Sequence, residues 1–257
     1  MRRGVVLALA LLALARPGRS STDPADHQTL LEIFNHTRGA FWREGTTWTK
    51  GIRLGRDPCD NPDFFKGLIC TGMLLDEGRK VQSLRLSFQT LNGTLPASLG
   101  ALTELKELTL TENFIHGEIP ASICQCVKLE NFEIARNALT GILPECLGTM
   151  QQLYKIDVRA NQIEGTIPRS LGGMINLQEL LLSGNLLSGT IPAELYDAKR
   201  LEVLLLSYNR LTGEIPRLFS RFRMKETASM NGLSWTDFRS NVLEGTYPEV
   251  IADFGAV

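Results

Sequence analysis

The sequence predicts a repeat solenoid, in which short strands from successive coils stack into a parallel sheet. Leucine-rich segments recur every 24 residues, as in Leu153–Leu171, Leu177–Leu195 and Leu201–Phe219. Within each segment apolar residues alternate over a few positions, as a half-buried strand requires. An asparagine follows each of these strands, and a glycine and a proline come after it. A fixed period of this length overrides local patterns, because one copy cannot bury its apolar face without its neighbours.

Six copies keep this register, and a seventh is degenerate. The six span residues 81–99, 105–123, 129–147, 153–171, 177–195 and 201–219, and the seventh spans 233–251. The seventh copy begins 32 residues after the sixth, so it follows an insertion of eight residues within 217–232. We expect one repeat domain over residues 81–250, followed by a tail at 251–257.

The asparagine of each copy is expected to lie at the bend where the strand ends. An amide side chain carries two donor hydrogens and an acceptor oxygen. It can therefore bind backbone groups that the bend leaves unpaired in its own coil and in the adjacent coil. Without such partners its burial would be costly. We predict a ladder of amides at Asn113, Asn137, Asn161, Asn185 and Asn209, with Gln89 in the first copy.

The pattern LxxLxLxxNxLxGxIPxxLGxLxxL resembles the plant-type leucine-rich repeat, and the resemblance covers about Val81 to Pro248. It implies an α/β fold: a right-handed, curved solenoid with a parallel sheet of LxL strands on the concave side. It also implies a second, irregular strand layer in the LxGxIP segments and short helical turns on the convex side.

The N-terminal segment predicts where the protein is located. The segment MRRGVVLALALLALARPG has two arginines, an apolar run and the small-residue pattern Ala13-Leu14-Ala15, which together indicate a signal peptide over residues 1–15. The run is short for a membrane span, although an uncleaved signal anchor is an alternative. Cleavage would remove Arg2 and Arg3 and leave 25 basic against 28 acidic residues, a net charge of −3. No second long apolar run follows, so we expect a secreted, extracellular protein.

Residues 24–80 are expected to form an N-terminal cap. Leu30, Leu31 and Phe34 suggest an amphipathic helix that ends near Gly39. The stretch is rich in aromatic residues and resembles the cap of plant-type repeats, including a C…(F/W)xGxxC ending. A cap is required physically, because the first coil otherwise exposes its leucines. The resemblance implies a disulfide between Cys59 and Cys70, which an oxidising compartment favours over a metal site.

The remaining cysteines and two sequons leave alternatives open. Cys126 fits a small buried apolar residue, whereas Cys124 and Cys146 lie in adjacent coils, where a bridge depends on geometry. With five cysteines, at least one thiol stays free or pairs between molecules. Asn35 and Asn92 each begin an N-x-T sequon, so both are glycosylation candidates.

The sequence contains no catalytic, cofactor or metal motif, and we expect no enzyme. It lacks a G-x-S-x-G elbow, H-E-x-x-H and a phosphate-binding glycine loop, and nothing places its three histidines beside a nucleophile. The basic run RLFSRFRMK, residues 217–225, carries phenylalanines at expected core positions. Because the net charge is also close to zero at −1, we expect no nucleic-acid partner.

The concave face is the predicted partner-binding site. Its outward positions include charged residues in the middle copies and an apolar stripe in the later copies. The charged candidates are Glu133, Arg136, Asp157 and Arg159, and the stripe is Leu181, Val203, Leu205, Tyr208 and Trp235. Contiguous exposed apolar surface marks contacts; here it serves either a partner or the chain's own C-terminal segment.

These features favour a secreted recognition module that binds a protein or peptide, with a membrane receptor as a further candidate partner. The resemblance to receptor ectodomains and to secreted inhibitors of cell-wall-degrading enzymes supports this class. Two alternatives remain: a structural or adhesive matrix or cell-wall protein, and a receptor ectodomain lacking its membrane span.

Overall fold

The computed structural model describes residues 22–71, 78–216 and 235–244, and in them the chain forms a capped repeat solenoid. The predicted signal peptide at 1–15, the insertion at 217–232 and the tail at 251–257 lie outside the described residues.

The described residues of the cap include two helices. Helix α1 spans Pro24–His36, and its N-terminus is capped by Asp23, whose carboxylate accepts bonds from the amides of Ala25 and Asp26. The sequence predicted this helix. A 3₁₀ turn at Gly39–Phe41 leads into helix α2, Gly45–Arg53, which the sequence analysis missed.

The cap has an aromatic core. Trp48 packs against Phe34, Trp42 and Phe65, with ring centroids 6.2, 5.3 and 5.1 Å away respectively. Both indole N–H groups are satisfied: Trp42 donates to the Thr37 carbonyl and Trp48 to the Lys66 carbonyl. The cap therefore covers the first coil with a small core of its own, in which each buried tryptophan keeps a hydrogen bond.

The concave side is an eight-stranded sheet in the described part of the chain. Its order is β1-β2-β4-β6-β8-β9-β11-β13, and only β1, from the cap, is antiparallel to its neighbour β2. The strands are β1 Leu68–Cys70, β2 Val81–Arg85, β4 Glu107–Thr109, β6 Asn131–Glu133, β8 Lys155–Asp157, β9 Glu179–Leu181, β11 Val203–Leu205 and β13 Trp235–Asp237. Between β2 and β11 the partners are 24 residues apart, as Leu180 and Leu204 are, so the sequence period is the sheet register.

In the described residues most coils also carry a second-layer strand and a 3₁₀ turn, as the resemblance implied; in the fourth coil only the isolated bridges Ile142–Glu164 and Thr166–Ser188 continue that layer. The second layer contains β3 Asn92–Gly93, β5 Phe114–Glu118, β7 Ala138–Thr140, β10 Ser188–Thr190, β12 Arg210–Glu214 and β14 Val242–Glu244, arranged as two three-stranded sheets. The 3₁₀ turns are Ala97–Ala101, Ala121–Gln125, Glu145–Thr149, Arg169–Gly173 and Ala193–Asp197. A proline precedes each turn, and its third residue is buried.

One copy shows how the apolar positions fill the core. Leu180 and Leu182 point inward from the concave strand, and Leu187 and Leu195 return to the same interior; all four are fully buried. Gly189 in the second layer has φ +74°, and a Cβ there would lie 3.0 Å from the Thr166 methyl group of the preceding coil. The backbone conformation and the close packing both favour glycine at this position.

The asparagines bridge adjacent coils. Nδ2 of Asn185 donates to the carbonyls of Leu182, in its own coil, and Val158, in the preceding coil, at 3.0 Å each. Its Oδ1 accepts from the Ile163 amide at 3.1 Å. The other members make equivalent bonds at Asn113, Asn137, Asn161 and Asn209, and Asn241 of the seventh copy makes them too. The sequence predicted the seventh copy, but Asn241 was not among the predicted ladder residues.

Gln89 occupies the ladder position of the first coil, where the preceding element is the cap. Its Oε1 accepts from the Glu44 amide at 3.1 Å, and its own carbonyl accepts from the Arg43 amide at 3.0 Å. The longer side chain thus connects the first coil to the cap.

Two disulfides link neighbouring segments. Cys59 is bonded to Cys70 in the cap, and Cys124 is bonded to Cys146 across two adjacent convex turns, with Cα atoms 5.6 and 5.9 Å apart. The second bridge is the one that the sequence left open. Cys126 is the free thiol: it is fully buried, its Sγ lies 3.4 Å from the Leu99 carbonyl, and burial raises its pKa to about 12.

Candidate functional site

The concave face presents four side-chain positions per coil. Two lie on the strand, one follows it, and the fourth comes just before the ladder residue. In the fifth and sixth coils these are Glu179, Leu181, Ser183 and Gly184, then Val203, Leu205, Ser207 and Tyr208. The fourth position has a left-handed backbone in every coil from the first to the seventh, with φ between 53° and 70°. This conformation turns the chain from the strand into the inward bend.

Ion pairs neutralise the N-terminal part of this face. Glu107 accepts hydrogen bonds from Arg85 at 2.8 Å and from Ser83 at 3.0 Å. The bond from Arg85 lowers the Glu107 pKa, although partial burial acts in the opposite direction. In the adjacent coils Arg136 pairs with Glu112 at 3.1 Å, and its guanidinium remains largely exposed.

The centre of the face is a shared charge cluster. Nζ of Lys155 lies 3.4 Å from carboxylate oxygens of both Glu133 and Glu179, on the two flanking strands. Burial alone would lower the Lys155 pKa, but the two carboxylates outweigh it and the pKa is raised. Lys155 therefore stays protonated and connects three coils.

Asp157 and Arg159 form a bidentate pair, with Nε–Oδ1 and Nη2–Oδ2 distances of 2.9 and 2.7 Å. The pairing raises the Arg159 pKa. We had expected both residues to face a partner, but the Asp157 side chain is only 3% exposed because the guanidinium covers it. Only Arg159 of the pair is available for contact. Asp237 and Arg239 repeat the arrangement in the seventh coil.

The apolar stripe is narrower than predicted. Tyr208 is 62% exposed, and Val203 and Leu205 beside it are half-buried. Leu181, which we expected to be exposed, is only 5% exposed. It stands between its sheet partners Asp157 and Leu205, and strands about 4.8 Å apart let these neighbours shield it. The side chain of Trp235 lies outside the described part.

Small residues separate the basic and apolar parts of the face. At the fourth position, Ala160 and Gly184 lie in the two coils between Arg136 and Tyr208. A Cβ built at Gly184 would lie 3.4 Å from the Ala160 backbone nitrogen, so the two small residues are packed in ordinary contact. At about 4.8 Å per coil, Arg136 and Tyr208 are about 14 Å apart, with only small side chains between them at this position. The sequence predicted Arg136 and Tyr208 as partner-binding candidates, but not the two small residues that lie between them at the same repeat position.

The other candidate residues lie away from this face. Asn35 is exposed at the end of α1, and Asn92 lies in β3 of the second layer. Within residues 22–71, 78–216 and 235–244, no group of three or more His, Cys, Asp or Glu side chains is placed to hold a metal ion. Across those same residues, every helix is too short or too polar to cross a bilayer.

Comparison with known proteins identifies the repeats. Two family models described as leucine-rich repeat match, one at residues 128–187 and 151–211 and the other at 104–126. No curated protein sequence matches significantly.

Among solved structures, the PEPR1–AtPEP1 crystal structure is 26% identical, with a TM-score of 0.68, over 88% of this chain and 29% of that one. The Arabidopsis receptor kinase HAESA, in complex with the peptide hormone IDA and the co-receptor SERK1, is 31% identical, with a TM-score of 0.58, over 66% and 31%. Pollen Receptor Kinase 3 is 27% identical, with a TM-score of 0.62, over 77% and 88%. The chain spans about a third or less of the first four receptor structures that it matches.

Proposed function

Because this chain is a leucine-rich-repeat protein of the plant type, we propose that it is an extracellular recognition module that binds a peptide or protein through its concave face. The observation that carries the proposal is Tyr208, a largely exposed aromatic side chain beside the half-buried Val203 and Leu205. An aromatic ring on an apolar floor is the usual composition of a binding anchor, and such anchors contribute about 2 kcal/mol or more.

The charged groups of the concave face are proposed to orient the ligand. Arg136 and Arg159 are each held by a carboxylate of this chain and keep donors toward solvent. Oriented guanidinium groups recognise carboxylates and carbonyl oxygens of a ligand. The separation of about 14 Å between Arg136 and Tyr208 corresponds to about four extended residues. We infer a ligand with a carboxylate or carbonyl-rich end over Arg136 and Arg159, and an apolar residue at Tyr208.

The comparisons support this class of function. HAESA was crystallised with the peptide hormone IDA and the co-receptor SERK1, so a related solenoid serves in peptide recognition. By analogy, a peptide ligand and a membrane receptor are the partners proposed for this chain. Its two disulfides fit an extracellular location. The burial of Cys126 removes one argument for a crosslinked matrix protein, because that thiol cannot reach a second molecule.

The test begins with capture of ligands on the purified protein from the extracellular fluid of the source tissue. Captured peptides are identified by mass spectrometry, synthesised and titrated by calorimetry. The double variant Leu205→Glu/Tyr208→Ala should weaken binding about 30-fold or more. As the control, Ile175→Glu places the same charge at an exposed apolar site outside the concave sheet and should leave affinity unchanged.

Thermal unfolding of the same double variant distinguishes the binding role of the stripe from its alternative role. If the stripe is only the docking site of the chain's own C-terminal segment, the variant loses stability. Unchanged affinity in a folded double variant would refute the assignment of the site to Tyr208.

A further inference from the structure

Phe114 is an exposed aromatic residue that the binding proposal does not use. It lies at the start of β5 in the second strand layer, and 61% of its surface is exposed. Ile142, another exposed apolar residue of that layer, packs over a glycine, with its Cγ2 2.8 Å from a Cβ built at Gly165. Phe114 has no such role, since Gly117 is covered by Thr94. The ring of Phe114 therefore offers an accessible apolar face on this flank.

The sheet partner of Phe114 is Asn92, the first residue of the sequon Asn92-Gly93-Thr94. The register pairs Asn92 with Phe114 and Gly93 with Ile115 in parallel strands. Leu91 and Ile115 are fully buried, so alternation directs Asn92 and Phe114 outward on the same side. Their Cα atoms are therefore about 4.8 Å apart on one side of the layer, where Phe114 is exposed and Asn92 is half-buried.

The Asn92 amide is available for modification. Within the described part of the chain its side chain makes no hydrogen bond, whereas the ladder asparagines use theirs on the backbone. The Asn92 backbone N–H donates to the Thr37 carbonyl at 3.0 Å, which fixes the strand without using the side chain.

We propose that Asn92 carries an N-linked glycan whose first N-acetylglucosamine packs on the ring of Phe114. The proposal rests on the extracellular location given under Proposed function. In the transfer, the Asn92 amide nitrogen attacks the anomeric carbon of a lipid-pyrophosphate-linked oligosaccharide. The N–C1 bond forms, the C1–O bond to phosphate breaks, the amide loses one proton, and the lipid pyrophosphate leaves.

The physical reason for the packing is the match between the two surfaces. One face of a pyranose ring presents C–H groups, and the face of an aromatic ring is electron-rich, so stacking them buries apolar area on both sides. Because the asparagine and the phenylalanine are sheet neighbours, the first sugar lies within reach of the ring. The rest of the glycan extends into solvent and keeps this flank soluble.

The experiment compares ring protection with and without the sugar. The protein is secreted from a plant or insect cell line as the Asn35→Gln variant, so that Asn92 is the remaining sequon, and site occupancy is measured by peptide mass spectrometry. Hydroxyl-radical footprinting then reports oxidation of Phe114, with Tyr208 as the reference. Adding Thr94→Val abolishes the sequon but keeps the methyl group that packs over Gly117. Thr94→Ser retains the sequon and is the matched control.

Phe114 oxidation should rise about twofold on loss of the glycan, because a stacked sugar covers one of the two ring faces. Tyr208 oxidation should not change. Enzymatic trimming to a single N-acetylglucosamine should preserve the protection, and complete enzymatic removal from the folded protein should abolish it, which gives a test independent of the Thr94 variant.

An unoccupied Asn92 in the secreted protein would overturn the proposal. Equal Phe114 oxidation with and without the glycan would do so too, as would loss of protection on trimming to one sugar. Failure of peptide binding on the concave face would leave occupancy and protection unchanged, so the two proposals fail separately.

Discussion

The Asn161→Ala variant tests the amide ladder. Nδ2 of Asn161 donates to the Ile134 carbonyl at 3.1 Å and to the Val158 carbonyl at 3.0 Å, and Oδ1 accepts from the Leu139 amide at 3.0 Å. Alanine removes all of these bonds at a position that is nearly buried. The loss of stability depends on which backbone groups still have a partner afterwards.

The two carbonyls remain bonded, because each also accepts from the amide of a neighbouring ladder residue. The Leu139 N–H donates to Asn161 Oδ1 and loses that acceptor, so it is the group expected to be left unsatisfied. One orphaned buried donor costs about 1–3 kcal/mol, and we expect that loss in the free energy of unfolding.

The same reasoning makes a graded prediction for Asn113→Ala. Oδ1 of Asn113 accepts from two amides, Gln89 and Leu91, each at 3.0 Å. Its removal orphans two donors, so the loss should be about twice that of Asn161→Ala.

The assay is urea unfolding of the oxidised protein, followed by circular dichroism, with the slope of each transition checked for two-state behaviour. The control is Asn131→Ala on the concave face. Among the described residues, the Asn131 amide donates only to the Glu133 carboxylate, at 2.7 Å, and binds no backbone group. That variant should lose less than about 0.5 kcal/mol. Equal losses at Asn131 and Asn161, or a smaller loss at Asn113 than at Asn161, would refute the ladder argument.

Three further predictions follow from the described contacts. Cys126, whose pKa burial raises to about 12, should react with a thiol reagent at pH 8 only after denaturation, and should then give about one thiol per chain by absorbance. Glu107→Gln should lower stability at pH 7 by less than about 1 kcal/mol, since Arg85 is exposed. The lowered Glu107 pKa means that the ion pair stabilises the fold above the ordinary carboxyl pKa and is lost on acidification. The difference in urea midpoint should therefore shrink as the pH falls below the ordinary carboxyl pKa and vanish once folded Glu107 is protonated. Gly189→Ala should cost about 1–2 kcal/mol more than Gly173→Ala, which meets no atom within 4 Å and has no positive φ; similar losses in urea unfolding would contradict the packing argument.

The fold was predictable because the repeat period is also the sheet register. Once the segments were aligned at 24 residues, the inward leucines and the second strand layer followed from the pattern and the resemblance. Helix α2 was not predictable in this way. Its sequence GTTWTKGIR is short, begins with glycine and contains β-branched residues, so its propensity is weak and tertiary contacts of Trp48 hold it.

The sequence predicted which side chains point to the concave face, but not which of them are exposed there. Alternation correctly placed Leu181 and Asp157 on the concave side, yet both are buried. Their exposure depends on side chains in adjacent coils, 24 residues away in sequence, and on whether those side chains fold over them. Arg159 covers Asp157 through a specific bidentate geometry that residue type alone does not specify.

The left-handed positions before the ladder are a requirement of the repeat itself. Glycine adopts this conformation without strain and occurs there once, at Gly184, whereas Arg136 and Tyr208 adopt it at φ 54° and 55°. A non-glycine residue in this region costs about 1–2 kcal/mol. Phe88, Glu112, Ala160 and Ser240 adopt the same conformation in other coils, so the strain belongs to the bend and does not by itself mark a site. The proposed binding site therefore rests on the exposure of the Arg136 and Tyr208 side chains and not on their backbone conformation.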